Sequence, residues 1–284
     1  GQASTAGAVA PEVMLHTDAA YRALIKEETK FYKVTCGAAP DECLKDPTKV
    51  KMEAISMEEA KANGRILAVN GILNDKDRAA QLAYQNAPLV EDPATRSDQK
   101  PDSLTLMHIM PATTTTGEIL VAGYERLLAP LIGYSNADMT YADVLQGRGS
   151  QETLSLGHSR GTIVQVNALN LAAGNGYSSD VLTVMGVGGA VSEETYRAAA
   201  ARVTGTQASA SFTYMSNDPI SVIAAGNPGD ALASFAEFFR VMNSNNSAHS
   251  CYGTGAQGCS TIANPVPGGP EPTNQRPDTV RTYQ

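Results

Sequence analysis

This chain is short of basic clusters, of metal-binding side chains and of long apolar runs, and each shortage excludes something. No run of Lys or Arg exceeds two residues and the formal net charge is −8. A nuclease, or any protein that must neutralise phosphates, fits that balance poorly, so no nucleic-acid partner is expected. No stretch of 18 apolar residues occurs, so no transmembrane segment is expected. The least polar run, Val181 to Val191, is broken by Thr183 and three glycines and reads as a buried strand. None of the four cysteines has C-x-x-C spacing, and no histidine stands near Cys36 and Cys43. Zinc is therefore disfavoured, and neither a metal nor a cofactor is expected. The cysteines fall into two local pairs, Cys36–Cys43 and Cys251–Cys259. Disulfides closing these short loops would fit an oxidising compartment, the alternative being four free buried thiols. Gly1 to Ala10 is small and uncharged, with no basic segment ahead of an apolar one. No signal peptide is read there, and the start resembles a cut inside a longer protein.

Apolar residues make up 42% of the chain and charged ones 18%, a globular rather than a disordered composition with enough to bury a full core. Residues 1–60 read as a helical or irregular extension. Thr17 and Asp18 can cap a helix running to about Lys30, and the Cys36–Cys43 loop follows. Ser56-Met57-Glu58-Glu59 is a capping box for a short helix that Gly64 stops. From residue 61 to 262 strands alternate with helices. Strands are predicted at 65–69, 104–109, 154–158, 181–187 and 210–215. Helices are predicted at 75–85, 118–131, 140–145, from the elbow turn Gly157–Gly161 to Gly174, from Ser192 to Gly205, and at 231–242 behind the cap Asp230. This alternation predicts an α/β fold, a mostly parallel sheet with helices on both faces, and a ligand site beyond the C-terminal strand ends. The tail, 263–284, is rich in proline and poor in apolar residues, so it wraps the surface or stays disordered.

The stretch Leu154 to Val164 reads as strand, tight turn Gly157-His158-Ser159-Arg160-Gly161, then helix. G-x-S-x-G alone is a weak signal, but the strand-turn-helix setting is the one a serine nucleophile needs. Gly157 and Gly161 leave room where neighbouring backbone comes close. A serine hydroxyl needs a base, and that base needs an anion to fix its tautomer. Of four histidines, His16 precedes the sheet, and His158 is next to Ser159 with its side chain expected to point away. His108 lies inside a strand, where core packing explains it. His249, in a polar loop after the last helix, is left as the base. Asp218 directly follows the strand 210–215, on the rim expected for Ser159, and is the candidate acid; Ser, Asp, His is also the chain order of the fold. For the oxyanion, backbone donors are expected at Arg160 and at Ile72, in the turn after the first strand of the alternating region, with Asn70 bracing that turn. Gly71, His108 and Ile220 are candidates for lining the substrate pocket, and Ile220 to Gly229 reads as an acyl pocket or flap.

With Asn70-Gly71-Ile72-Leu73-Asn74, the G-H-S-R-G turn, Asn217-Asp218-Pro219 and His249-Ser250-Cys251-Tyr252-Gly253 in view, residues 60–262 resemble the α/β-hydrolase superfamily. More narrowly, they are similar to hydrolase-like C-terminal regions of filamentous-haemagglutinin and contact-dependent growth inhibition effectors. The resemblance implies an α/β-hydrolase fold and a lipase or esterase acting through an acyl-enzyme on an ester or lipid substrate. It further implies a toxin-like part of a large exported protein, at the cell surface or delivered into a target cell, with a cognate immunity protein as partner. The chain departs from the family in having no clear final strand before His249 and no legible leading antiparallel strands. A non-catalytic adhesion or interaction domain on the same fold, and a serine peptidase, stay open as alternatives.

Overall fold

The structure is a computed structural model that describes residues 28–36, 49–71, 75–87, 103–109, 134–243, 248–250 and 252, the side chains of 238–243 excepted. Seven strands form one mixed sheet: β1 (Thr29–Cys36), β2 (Val50–Ile55), β3 (Ile66–Val69), β4 (Ser103–Ile109), β5 (Thr153–His158), β6 (Leu182–Val187) and β7 (Ala210–Thr213). Their order across the sheet is β2-β1-β4-β3-β5-β6-β7. From β4 to β7 all neighbours are parallel, while β1 runs antiparallel to both β2 and β4. Every residue of β3 and β5 is buried, as expected of parallel strands covered on both faces.

Helices do cover both faces. The helices are α1 (Met57–Ala60), α2 (Lys76–Asn86), α3 (Asn136–Gly147), α4 (Gly161–Gly174), α5 (Glu193–Thr204) and α6 (Ala231–Asn243). On one face α4 packs between α3 and α5, and Tyr141 of α3 bonds the Leu67 carbonyl of β3 and the Ser155 hydroxyl of β5. On the other, α2 brings Ala79, Leu82 and Ala83 over Ala68, Leu106 and Leu156. Helix starts follow the capping signals: Asp75 accepts from the Arg78 amide at 2.7 Å, Ser192 accepts from Thr195, and Asp230 accepts from Ala233 at 3.0 Å. Ser56 and Glu59 close their capping box.

The N-terminal segment differs from the sequence reading. A helix reaching Lys30 and an irregular extension were expected, but Thr29–Cys36 and Val50–Ile55 are an antiparallel pair completing the sheet edge. The run Thr-Lys-Phe-Tyr-Lys-Val-Thr is β-branched and aromatic, a composition that favours a strand once both neighbours are present. With β2 on one side and β4 on the other, Phe31, Tyr32 and Val34 are buried. The predicted 140–145 helix extends from 136 to 147 because Ser135 and Asp138 form a capping box at its start. Cys36 is disulfide-bonded; Cys43, Cys251 and Cys259 lie outside the described residues, as do the predicted helix 118–131 and the tail.

Candidate active site

Four strands, β3, β5, β6 and β7, deliver the residues of interest at their C-terminal ends. At the end of β5, Ser159 has φ of +57°, the only non-glycine residue in the left-handed region among the described residues. Such a backbone costs an L-residue about 1–2 kcal/mol and persists only where its surroundings fix it. The Ser159 amide donates to the Val187 carbonyl at 3.1 Å, and its own carbonyl accepts from the Thr162 amide at 3.0 Å and hydroxyl at 2.7 Å. The two turn glycines are required for different reasons. A Cβ on Gly161 would lie 2.6 Å from the Val69 carbonyl oxygen, the close backbone approach that was expected. At Gly157 the obstacle is instead a side chain, with Gln165 Oε1 only 2.1 Å from the ideal Cβ. Gln165 belongs to a buried polar chain under the elbow. Tyr196 donates to its Oε1 at 2.8 Å, its Nε2 donates to Ser155 at 2.9 Å, and Ser155 bonds Tyr141.

The end of β3 lies directly against the serine. Asn70 is buried and braces this turn: its amide nitrogen donates to Gly71 O at 2.8 Å, and its oxygen accepts from Ile109 N at 2.7 Å. A Cβ on Gly71 would be 2.7 Å from Ser159 Cβ and 3.3 Å from Ser159 Oγ, so only glycine fits beside the hydroxyl. Ile72, the expected second oxyanion donor, lies outside the described residues. Arg160, the other expected donor, is the buried residue between Ser159 and the start of α4. The positive end of the α4 dipole thus sits at the Ser159 hydroxyl.

Asp218 and His249 meet. His249 Nδ1 lies 3.0 Å and 2.9 Å from the two Asp218 oxygens, and the carboxylate is fully buried. Tyr252 donates its hydroxyl to Asp218 Oδ2 at 2.7 Å and accepts from the Met215 amide at 2.7 Å. The Ile220 amide donates to Oδ1 at 2.9 Å. Burial alone pushes the Asp218 carboxyl up. The charge of His249 and the hydrogen bonds from His249, Tyr252 and Ile220 oppose that and leave it below its ordinary 3.8. His249 Nε2 is buried and has no hydrogen-bond partner among the described residues. Its segment is anchored from two helices: the Ala248 amide donates to Glu237 of α6 at 3.3 Å, and Gln85 of α2 donates to the carbonyls of Ser250, at 3.1 Å, and Tyr252.

His158 does not point away from the site. Its Nε2 lies 2.7 Å from the His249 carbonyl oxygen, and its ring stacks on the His249 ring with centroids 4.7 Å apart and planes 28° apart. Burial, then the nearby His249, pushes its pKa down to about 3.

Of the expected residues, Ser159, His249, Asp218, Arg160 and Gly71 therefore come to one rim, and Ile220 joins them through its amide. His108 does not share their placement: it is buried in β4 with its ring 6.4 Å from that of Tyr32. Sequence reasoning missed His158, Tyr252 and Gln85; the only signal was that the first two sit within the quoted G-H-S-R-G and H-S-C-Y-G runs. A cavity of about 510 Å³ lies at the β1–β2 edge of the sheet, against Thr29, Phe31, Ala54 and Ile55. The cavity touching Gly71 and His158 is about 10 Å³, room for one water. Among the described residues no cluster of His, Cys, Asp or Glu could hold a metal, and no helix is long and apolar enough to cross a membrane.

Chemically, a serine hydroxyl at a helix N-terminus, on the same rim as a carboxylate-imidazole pair, belongs to a constellation able to lose its proton and attack an electrophilic carbonyl. Fold and site together define a protein of the α/β class with this constellation at its strand ends. No family model, no curated protein and no solved structure matches the chain.

Proposed function

We propose that this chain is a serine hydrolase of the α/β-hydrolase type that cleaves carboxylic esters. The observation that carries the reading is the buried Asp218–His249 pair, its outer nitrogen unpartnered, stacked on the residue before a serine in a left-handed turn. Ser159 Oγ attacks the ester carbonyl while His249 Nε2 takes its proton. Asp218 holds Nδ1–H toward itself and stabilises the imidazolium that forms. Backbone amides at Arg160 and Ile72 receive the tetrahedral oxyanion. Collapse expels the alcohol, which takes the proton from His249, and leaves an acyl-serine that water hydrolyses by the same relay. His249 Nε2 makes no hydrogen bond to Ser159; such bonds are often long in a free enzyme and tighten in the substrate complex. The antiparallel leading strands support the family reading, since the superfamily usually carries such a pair.

The test is labelling by a fluorophosphonate probe together with turnover of p-nitrophenyl esters. Wild type is expected to label and turn over, whereas Ser159→Ala and His249→Ala lose both. No labelling of wild type would reduce the chain to a binding domain on this fold, and equal labelling of Ser159→Ala would move the nucleophile away from Ser159. On the same reading the chain is the toxin-like end of a larger exported protein with a cognate immunity partner, and the disulfide at Cys36 suits passage through an oxidising compartment. Expression inside bacteria should slow growth for wild type but not for Ser159→Ala. Equal growth would discard the toxin part alone.

A further inference from the structure

We propose that His158 is a positioning residue for the base: through its ring nitrogen and ring face it holds His249 where Nε2 can serve Ser159. This rests on the serine-hydrolase reading above. A carbonyl oxygen only accepts, so the 2.7 Å contact between His158 Nε2 and the His249 carbonyl fixes His158 as the Nε2–H tautomer. Its Nδ1 is buried with no partner among the described residues. Protonating that atom would bury an N–H without an acceptor, and the His249 and Arg78 charges add to that cost, so His158 stays neutral.

The consequence is geometric. His249 arrives 91 residues after His158, on a single short turn, Ala248–Ser250. Asp218 grips only the Nδ1 end of its ring. The His158 bond pins the backbone behind that ring, and the stack, at 4.7 Å and 28°, limits sideways tilt. One rigid elbow therefore sets both nucleophile and base. An uncharged ring face also leaves the positive charge that His249 gains unopposed, which a second imidazolium would not. Misplacing a catalytic group by about 1 Å is enough to lose about 100-fold in rate.

Two substitutions separate the parts of this role. His158→Gln keeps an N–H donor at about the reach of Nε2, while His158→Phe keeps a flat ring and loses the donor. Turnover of a short p-nitrophenyl ester is measured, with thermal melting to establish folding. The expected result for His158→Phe is a fall in kcat of about 10–100-fold with KM nearly unchanged, and for His158→Gln a recovery to within about 5-fold of wild type. If His158→Phe does not fold, His158→Asn, whose amide is too short to reach, takes its place against the Gln variant. Wild-type kcat in the donor-less variant, a change confined to KM, or a Gln variant as poor as the donor-less one would each overturn the inference. Wild type that neither turns over ester nor takes the fluorophosphonate label removes the hydrolase reading and this role together. Active wild type with an indifferent His158→Phe removes this role alone.

Discussion

Removing one hydroxyl tests how the site is built. Tyr252→Phe deletes an oxygen that joins the Met215 amide to the Asp218 carboxylate, with 2.7 Å on each side, in a fully buried position. Two losses follow. The carboxylate loses one of the donors that hold it ionised, and a hydrogen bond to a charged group contributes about 1.5–3 kcal/mol. The Met215 N–H is left buried without an acceptor, which costs about 1–3 kcal/mol. The two share one oxygen and are not additive, so about 2–4 kcal/mol is expected in all, or roughly 5–15 °C in melting temperature for a domain of this size. Activity should suffer less. His249 Nδ1 still faces both Asp218 oxygens at 3.0 Å and 2.9 Å, so the imidazole keeps its tautomer and ester turnover should fall no more than about 10-fold. Asp218→Ala, which removes the anion itself, should cost on the order of 10⁴-fold. The measurements are thermal unfolding at pH 7 and kcat/KM on a short ester for both variants. An unshifted melting temperature in Tyr252→Phe, or a turnover loss equal to that of Asp218→Ala, would refute the reasoning.

Acid stability carries a second signature. His158 is held neutral, at about 3 against an ordinary 6.5, so between those values the unfolded chain binds a proton that the folded one refuses. Stability should then fall as pH drops from 6.5, by about 1.4 kcal/mol per pH unit. Asp218, depressed below 3.8, stabilises the fold above that pH and loses the contribution only as pH falls through its lower folded value. Melting temperatures from pH 7 to 4 should show a shallower slope in His158→Gln than in wild type; identical slopes would count against it. Gly71→Ala would press a methyl to 2.7 Å from Ser159 Cβ. Fluorophosphonate labelling should drop at least about 10-fold while the melting temperature falls by only a few degrees; unchanged labelling would mean the turn can yield. Gln85→Ala frees the Ser250 and Tyr252 carbonyls from α2. It should lower kcat with little change in KM, and a purely KM effect would contradict the anchoring role.

What the sequence revealed and what it hid divide along a physical line. Elements whose signals are local were legible: the alternation from β3 to β7, the caps Asp75, Ser192 and Asp230, and the elbow, whose strain and glycines come from five consecutive residues. The β1–β2 pair was not, because a strand is stabilised by partners elsewhere in the chain. Phe31 and Tyr32 suit either a helix or a strand until β4 is beside them. Asp218 was reachable because a strand ends just before it and places it on the rim. His249 could be nominated by elimination, yet nothing local fixes it. Its ring is gripped from the β7 end, its carbonyl from the β5 end, and its flanking residues from α2 and α6. His158 was assigned to the wrong direction for the same reason. Alternation along β5 puts His158 on the face of Leu156, with which it lines one small cavity, but the ring that packs against it there is supplied by a segment 91 residues away. A nucleophile can thus be written into a short stretch of sequence, whereas the alignment of its base is a property of four elements meeting, and the residues that secure that alignment carry no motif of their own.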